Sequence, residues 1–184
     1  GTCIMANYRH PVQVLLLSAL TLLLVVFANP AGSQVVRSEE GSWPAYRANA
    51  SRTALHSSSL AAELAPAWIY QSAAAPQPAW PRSERMPFDR AQQTVVAQGK
   101  VFFGSSVDGR VIALDLETGK LVWTFMTDGP IRFAPAIWKD RLLVASDDGF
   151  LYALALADGR QLWKKRAGPD GRMVMGNGRL ISKW

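Results

Sequence analysis

Residues 113–123 read Ala113-Leu114-Asp115-Leu116-Glu117-Thr118-Gly119-Lys120-Leu121-Val122-Trp123, and 40 positions later the chain returns to the same frame as Ala153-Leu154-Ala155-Leu156-Ala157-Asp158-Gly159-Arg160-Gln161-Leu162-Trp163. The same spacing links Asp108-Gly109 to Asp148-Gly149. Four short blocks, apolar or alternating, lie between turn residues in each copy: 94–97, 101–106, 110–115 and 120–125, then 134–138, 141–146, 150–155 and 160–164. Blocks of this length and pattern read as strands, and Asp-Gly between two of them reads as a tight hairpin with positive φ at both central residues.

A repeat of about 40 residues made of four strands is the signature of a β-propeller blade. The expected fold is therefore all-β, with four-stranded antiparallel blades. Two blades are complete, at 94–125 and 134–164. A third begins at 173–182, where two short strands flank Asn177-Gly178. Upstream, residues 67–70 are expected to form an outer closing strand, with Trp68 in the place held by Trp123 and Trp163. Propellers close with about four to eight blades, so the segment is expected to be the N-terminal part of a longer ring.

Residues 1–33 differ in kind. They carry no acidic residue, and an apolar run at 12–27 leads to Ala31-Gly32-Ser33. This is the pattern of a secretory signal peptide following a start at Met5, and the run is short of the roughly 20 residues that span a bilayer. Residues 34–66 form an N-terminal extension. The mature chain has no membrane span and, once Cys3 is removed, no cysteine. Disulfides, thiolate metal sites and a thiol nucleophile are thereby excluded from it. Processing removes Arg9 alone among charged residues, lowering the net charge of +6 by one. That mild basicity shows no clustering of Lys and Arg with aromatics, so no nucleic-acid partner is expected.

The 113–123 segment closely resembles the repeat of quinoprotein-like propellers, the pyrroloquinoline quinone (PQQ) repeat family. Residues 42–47, Ser42-Trp43-Pro44-Ala45-Tyr46-Arg47, resemble the opening of its secreted members, and 129–135 and 176–182 resemble its inter-blade segments. The resemblance implies that Trp68, Trp123 and Trp163 dock between blades, with Gly119, Gly159, Gly109, Gly149 and Asp115 shaping the turns. The second copy has Ala155 for Asp115 and Asp158 for Thr118, so fewer polar ties are expected there.

The family implies two functions, an exported binding scaffold or a dehydrogenase that holds PQQ over calcium, and fold alone does not choose between them. Asp108, Asp147 and Asp148 are the available calcium ligands by type, but their places in hairpins favour a turn role. His56, the one histidine of the mature chain, sits in a Ser/Ala-rich segment and reads as a solvated loop residue, leaving no His-based triad or metal cluster. No catalytic residue, metal or cofactor is expected within this segment. Any PQQ and calcium would belong to the full-length protein.

Two features are candidates for binding an envelope protein or a small anionic ligand. The segment from Trp68 to Trp123 is longer than one repeat, the excess being an inserted loop at 71–90 with Pro76, Pro78, Pro81, Pro87, Trp80, Arg82, Arg85, Phe88 and Arg90. It reads equally as a surface flap or a binding lid. Arg132 and Arg172, with Gln92 before the first blade, stand just ahead of innermost strands. They are candidates for a polar ring at one channel mouth, against the plainer reading that each Arg pairs with a nearby carboxylate.

Overall fold

The computed structural model describes residues 41–76, 92–168, 171–176 and 179–183. The expected signal peptide at 1–33, Asn177-Gly178, and Trp80, Arg82, Arg85, Phe88 and Arg90 of the expected inserted loop lie outside these. Every described residue belongs to the compact unit Ser38–Trp184.

Ten strands run in chain order: β1 Val95–Ala97, β2 Lys100–Gly104, β3 Arg110–Asp115, β4 Leu121–Met126, β5 Ala136–Trp138, β6 Arg141–Ala145, β7 Phe150–Ala155, β8 Gln161–Arg166, β9 Met173–Gly176 and β10 Arg179–Ser182. β1 to β4 form one antiparallel sheet in sequential order and β5 to β8 a second, while β9 and β10 pair as a hairpin. Each sheet is a meander in which every strand is joined to its neighbour. Across the boundary between the two blades β1 contacts β5, which sets the innermost strands side by side, as a radial array requires.

The copies agree in detail. Ala113 lies opposite Trp123 and Ala153 opposite Trp163, and in both blades the third and fourth strands slip register by one bulge directly after that alanine. The central strands read as continuous apolar runs rather than alternating ones because both faces of a blade are covered. One face of blade one, with Phe102, Val111 and Trp123, packs on Leu142, Val144, Tyr152 and Leu154 of blade two. Its other face, with Phe103, Ile112 and Leu114, lies under Trp68 and Tyr70.

Three expectations are corrected. First, at the Asp-Gly pairs only the glycines, Gly109 (φ 67°) and Gly149 (φ 88°), have positive φ. The loops are longer than two residues, closed by Ser105 N–H to Arg110 O (2.8 Å) and Ser146 N–H to Phe150 O (3.1 Å). Asp108 and Asp148 contribute through their carboxylates, which accept the N–H groups of Arg110 (3.3 Å) and Phe150 (2.9 Å), the side-chain turn that Asp makes well. Among the described strand-to-strand turns, both residues take positive φ at Gln98-Gly99, between β1 and β2 (φ 50° and 67°).

Second, residues 67–70 form no strand, because among the described residues nothing runs alongside them to complete a ladder. Trp68 nonetheless docks: its Nε1 donates to Leu116 O at 2.8 Å, just as Trp123 Nε1 donates to Leu156 O at 3.1 Å. Third, Gln92, Arg132 and Arg172 do not hold equivalent places, since Arg172 directly precedes Met173 of β9 whereas Arg132 stands well ahead of Ala136 of β5.

Candidate functional site

Polar side chains concentrate where the β4–β5 crossover threads between the β2–β3 and β6–β7 loops. The crossover is pinned on both sides by backbone hydrogen bonds, Ile131 N–H to Ser105 O (3.0 Å) and Asp147 N–H to Pro130 O (2.9 Å). Close approach explains its glycines. A β-carbon on Gly109 would lie 2.5 Å from Gly129 O, and one on Gly129 would lie 2.5 Å from Asp148 N. The Thr127 hydroxyl, 2.8 Å from Gly109 O and 2.7 Å from Gly129 O, and the Ser146 hydroxyl, 3.1 Å from Gly129 O, satisfy carbonyls that the crossover buries.

Arg132 is brought to Asp147, its Nη2 2.7 Å from Oδ1, with both side chains largely buried. A charge-assisted bond this short and this shielded fixes the guanidinium, and so the plainer reading of Arg132 is the one the geometry supports. Gln92 is half-buried ahead of β1, and Arg172 is exposed with its carbonyl accepting from Lys183 N–H at 3.1 Å.

A second cluster was not legible in the sequence. The buried Tyr152 hydroxyl donates to Asp148 Oδ2, which also accepts Asp128 N–H at 3.2 Å. Lys164 Nζ bonds Asp128 Oδ2 at 3.2 Å while lying 4.1 Å above the Phe150 ring and 4.9 Å above that of Tyr152. Burial, and secondarily the Asp148 carboxylate, push the Tyr152 phenol up to about 12. The Tyr152 hydroxyl, and then Asp128, hold the Lys164 ammonium above its ordinary value. These residues tie the crossover leaving blade one to the outer strand of blade two. The signal that could have found them is Tyr152 and Lys164 directly opposite on neighbouring strands.

Beside this network an open cleft of about 220 Å³ is lined by Val107, Asp108, Gly109, Thr127, Asp128, Gly129, Pro130 and Leu180. The acidic groups around it are already engaged. Asp147 holds Arg132, Asp148 accepts from Phe150, Tyr152 and Asp128, and Asp108 pairs with Arg110 at 3.1 Å. Among the described residues no three His, Cys, Asp or Glu side chains are grouped as a metal site. These side chains do not fit a quinone held over calcium. His56 is exposed, and its Nδ1 accepts Ser58 N–H at 3.1 Å.

Four-stranded meanders set side by side, with a Trp from one unit docked on the turn of the next, define a β-propeller of PQQ-like repeats. The chain belongs to the PQQ-repeat family whose model is described as outer membrane protein assembly factor BamB, which matches residues 28–182. It is similar to the dehydrogenase subunit of the quinone-dependent alcohol dehydrogenase of Komagataeibacter europaeus, 35% identical over 39% of this chain and 12% of that protein. It is also similar to the quinoprotein ethanol dehydrogenase of Pseudomonas aeruginosa, 30% identical over 51% of this chain and 17% of that protein. The quinohemoprotein alcohol dehydrogenase structure from Comamonas testosteroni aligns with a TM-score of 0.40 and 27% identity, covering 46% of this chain and 14% of that one. The chain thus spans less than a fifth of the length of these relatives.

Proposed function

We propose that this chain contributes blades to an exported, envelope-located PQQ-like propeller that works as a scaffold for binding a protein or a small anionic ligand. The observation that carries this reading is the commitment of the loop-face charges to holding blades together. Arg132 is spent on Asp147, and Asp148 on Tyr152 and two backbone N–H groups. Charges locked in this way stabilise a rigid platform and are poorly placed to exchange partners with a substrate. The leader at 1–33 and the envelope setting belong to the same reading, as does the absence of a nucleic-acid partner.

A second reading, a PQQ-dependent dehydrogenase, is favoured by one observation: the curated relatives described above are named as quinone-dependent alcohol dehydrogenases. Titration of the full-length protein with PQQ and calcium, together with dye-linked alcohol or sugar oxidation, separates the two. The scaffold reading expects neither stoichiometric quinone binding nor turnover. Tight binding with turnover that is lost in Arg132→Ala would overturn it.

A further inference from the structure

The segment just before the exposed polar stretch of the N-terminal extension does something its sequence does not announce. Trp43 N–H donates to Val96 O at 2.8 Å and Val96 N–H donates to Trp43 O at 2.9 Å, an antiparallel bridge on the free edge of β1. One residue on, Pro44 O accepts Ile137 N–H of β5 at 2.7 Å. A single strap therefore covers the innermost edges of two adjacent blades. Within the strap Ser42 is buried, and Trp43 and Pro44 are half-buried.

The strap leads into a loop held against its own conformational preference. Arg47, Ala48, Arg52 and Ala54 all have positive φ, between 54° and 74°, and none is glycine. Ala48 is also buried, so solvent gives it no relief. Ala54 N–H to Arg47 O (3.0 Å) and the Asn49–Thr53 side-chain bond (2.6 Å) close the loop. Non-glycine residues in the left-handed region are disfavoured individually, and a cluster of them marks a segment that other contacts must hold in place.

We propose that the inner edges of β1 and β5 form a binding site for an extended peptide, occupied in cis by residues 42–44. Recognition there is through main-chain groups, as when a strand adds to an exposed sheet edge. The ligand class is an extended segment with a bulky residue followed by proline: the first residue exchanges both main-chain bonds with Val96, and the proline, which has no N–H to place, offers its carbonyl to Ile137. Proline suits an edge position for the same reason. Few hydrogen bonds and a strained follow-on loop make the cis occupant releasable. The inference deepens the scaffold reading by naming a partner class, but its test uses neither quinone nor turnover, so the two can fail separately.

Native-state hydrogen exchange on the full chain tests it. In the unmodified protein the Val96 and Ile137 amides, which lie in different blades, should exchange through one shared opening, at lower protection than the β3 and β7 amides. Unequal opening free energies at the two amides, or exchange only with global unfolding, would overturn the proposal. In Trp43→Pro, which removes the donor to Val96, both amides should exchange at least about tenfold faster while β3 and β7 stay protected. A labelled peptide of residues 41–48 should then bind the variant saturably. It should not bind the unmodified chain at the same concentration, because a tethered strap competes at an effective concentration on the order of mM. Released edges that fail to take the peptide, or equal binding to both proteins, would also overturn the proposal. If β3 and β7 protection is lost in the variant, the unmodified protein's exchange decides alone.

Discussion

Trp123 lies flat against Gly159: a β-carbon built on that glycine would come within 2.5 Å of the indole Cε3. The indole N–H meanwhile reaches Leu156 O in the same turn. Gly119 lies beneath Trp68 in the same way, at 2.6 Å. The glycine of each repeat turn is therefore the seat for the tryptophan of the preceding unit, and its φ of 74° or 67° is a second reason for the residue.

Gly159→Ala should destabilise by about 2–4 kcal/mol, combining left-handed strain with overpacking of Trp123. Gly99→Ala, where a β-carbon meets nothing within 4 Å despite a φ of 67°, should cost only about 1–2 kcal/mol. Urea unfolding of both variants checks this. Equal losses would mean that the backbone conformation, and not the seat, sets the cost at Gly159.

Trp123→Ala in the full-length protein should cost about 3–5 kcal/mol, since the ring is buried between blades. Trp80→Ala, in the inserted loop, is expected to cost far less than Trp123→Ala. Comparable losses at Trp80 and Trp123 would assign the loop to the core.

Alkaline pH should expose the Tyr152 network. Its phenol is raised to about 12 from an ordinary 10.0, so the folded state keeps the proton longer than the unfolded chain does. The stabilisation is complete below about pH 10 and is lost as pH rises from there through the folded value. Phenolate absorbance should show one tyrosine titrating late, and Tyr152→Phe should abolish that component. A normal titration of every tyrosine would contradict the buried bond to Asp148.

At acid pH the contribution comes from Asp115. The Thr118 hydroxyl and backbone N–H, at 2.7 and 2.8 Å, hold this carboxyl below its ordinary value. The resulting stability is present above the unfolded value of about 3.8 and is lost as pH falls through the folded one. Melting temperature followed from pH 6 downward should lose this acid-sensitive component in Asp115→Asn. The paired change Ala155→Asp with Asp158→Thr should add a similar component to the second blade. No difference between wild type and Asp115→Asn below pH 4 would remove the side-chain tie as a contributor.

Legibility followed the range of the forces involved. β3 and β7 were readable to the residue, because each is bounded by turn residues whose preferences are local. The Asp-Gly loops were placed correctly but given the wrong geometry: Asp can serve a turn through its carboxylate or its backbone, and the dipeptide does not say which. The turn between β1 and β2 was placed at Gly99-Lys100, one residue late, because Gln98 rarely takes the positive φ it holds there. In the candidate site, Arg132 was found from its spacing, whereas its partner Asp147 was weighed as a calcium ligand or a turn residue and not as an ion-pair partner. The Asp128–Asp148–Tyr152–Lys164 cluster was missed, since Asp128 of the crossover meets Asp148, Tyr152 and Lys164 of blade two only when the two blades pack together.

Periodic burial and glycine-dependent turns, written within a single 40-residue unit, made the repeat and the all-β blades readable from the chain alone, while the docking of the tryptophans was implied only by the family resemblance. Tertiary structure decided which charges neutralise one another, and that residues 42–44 lie along β1 and β5. It also decided that Trp68 docks without belonging to a strand. These are contacts between segments far apart in the chain, and their energies depend on distances that exist only once two blades are packed side by side.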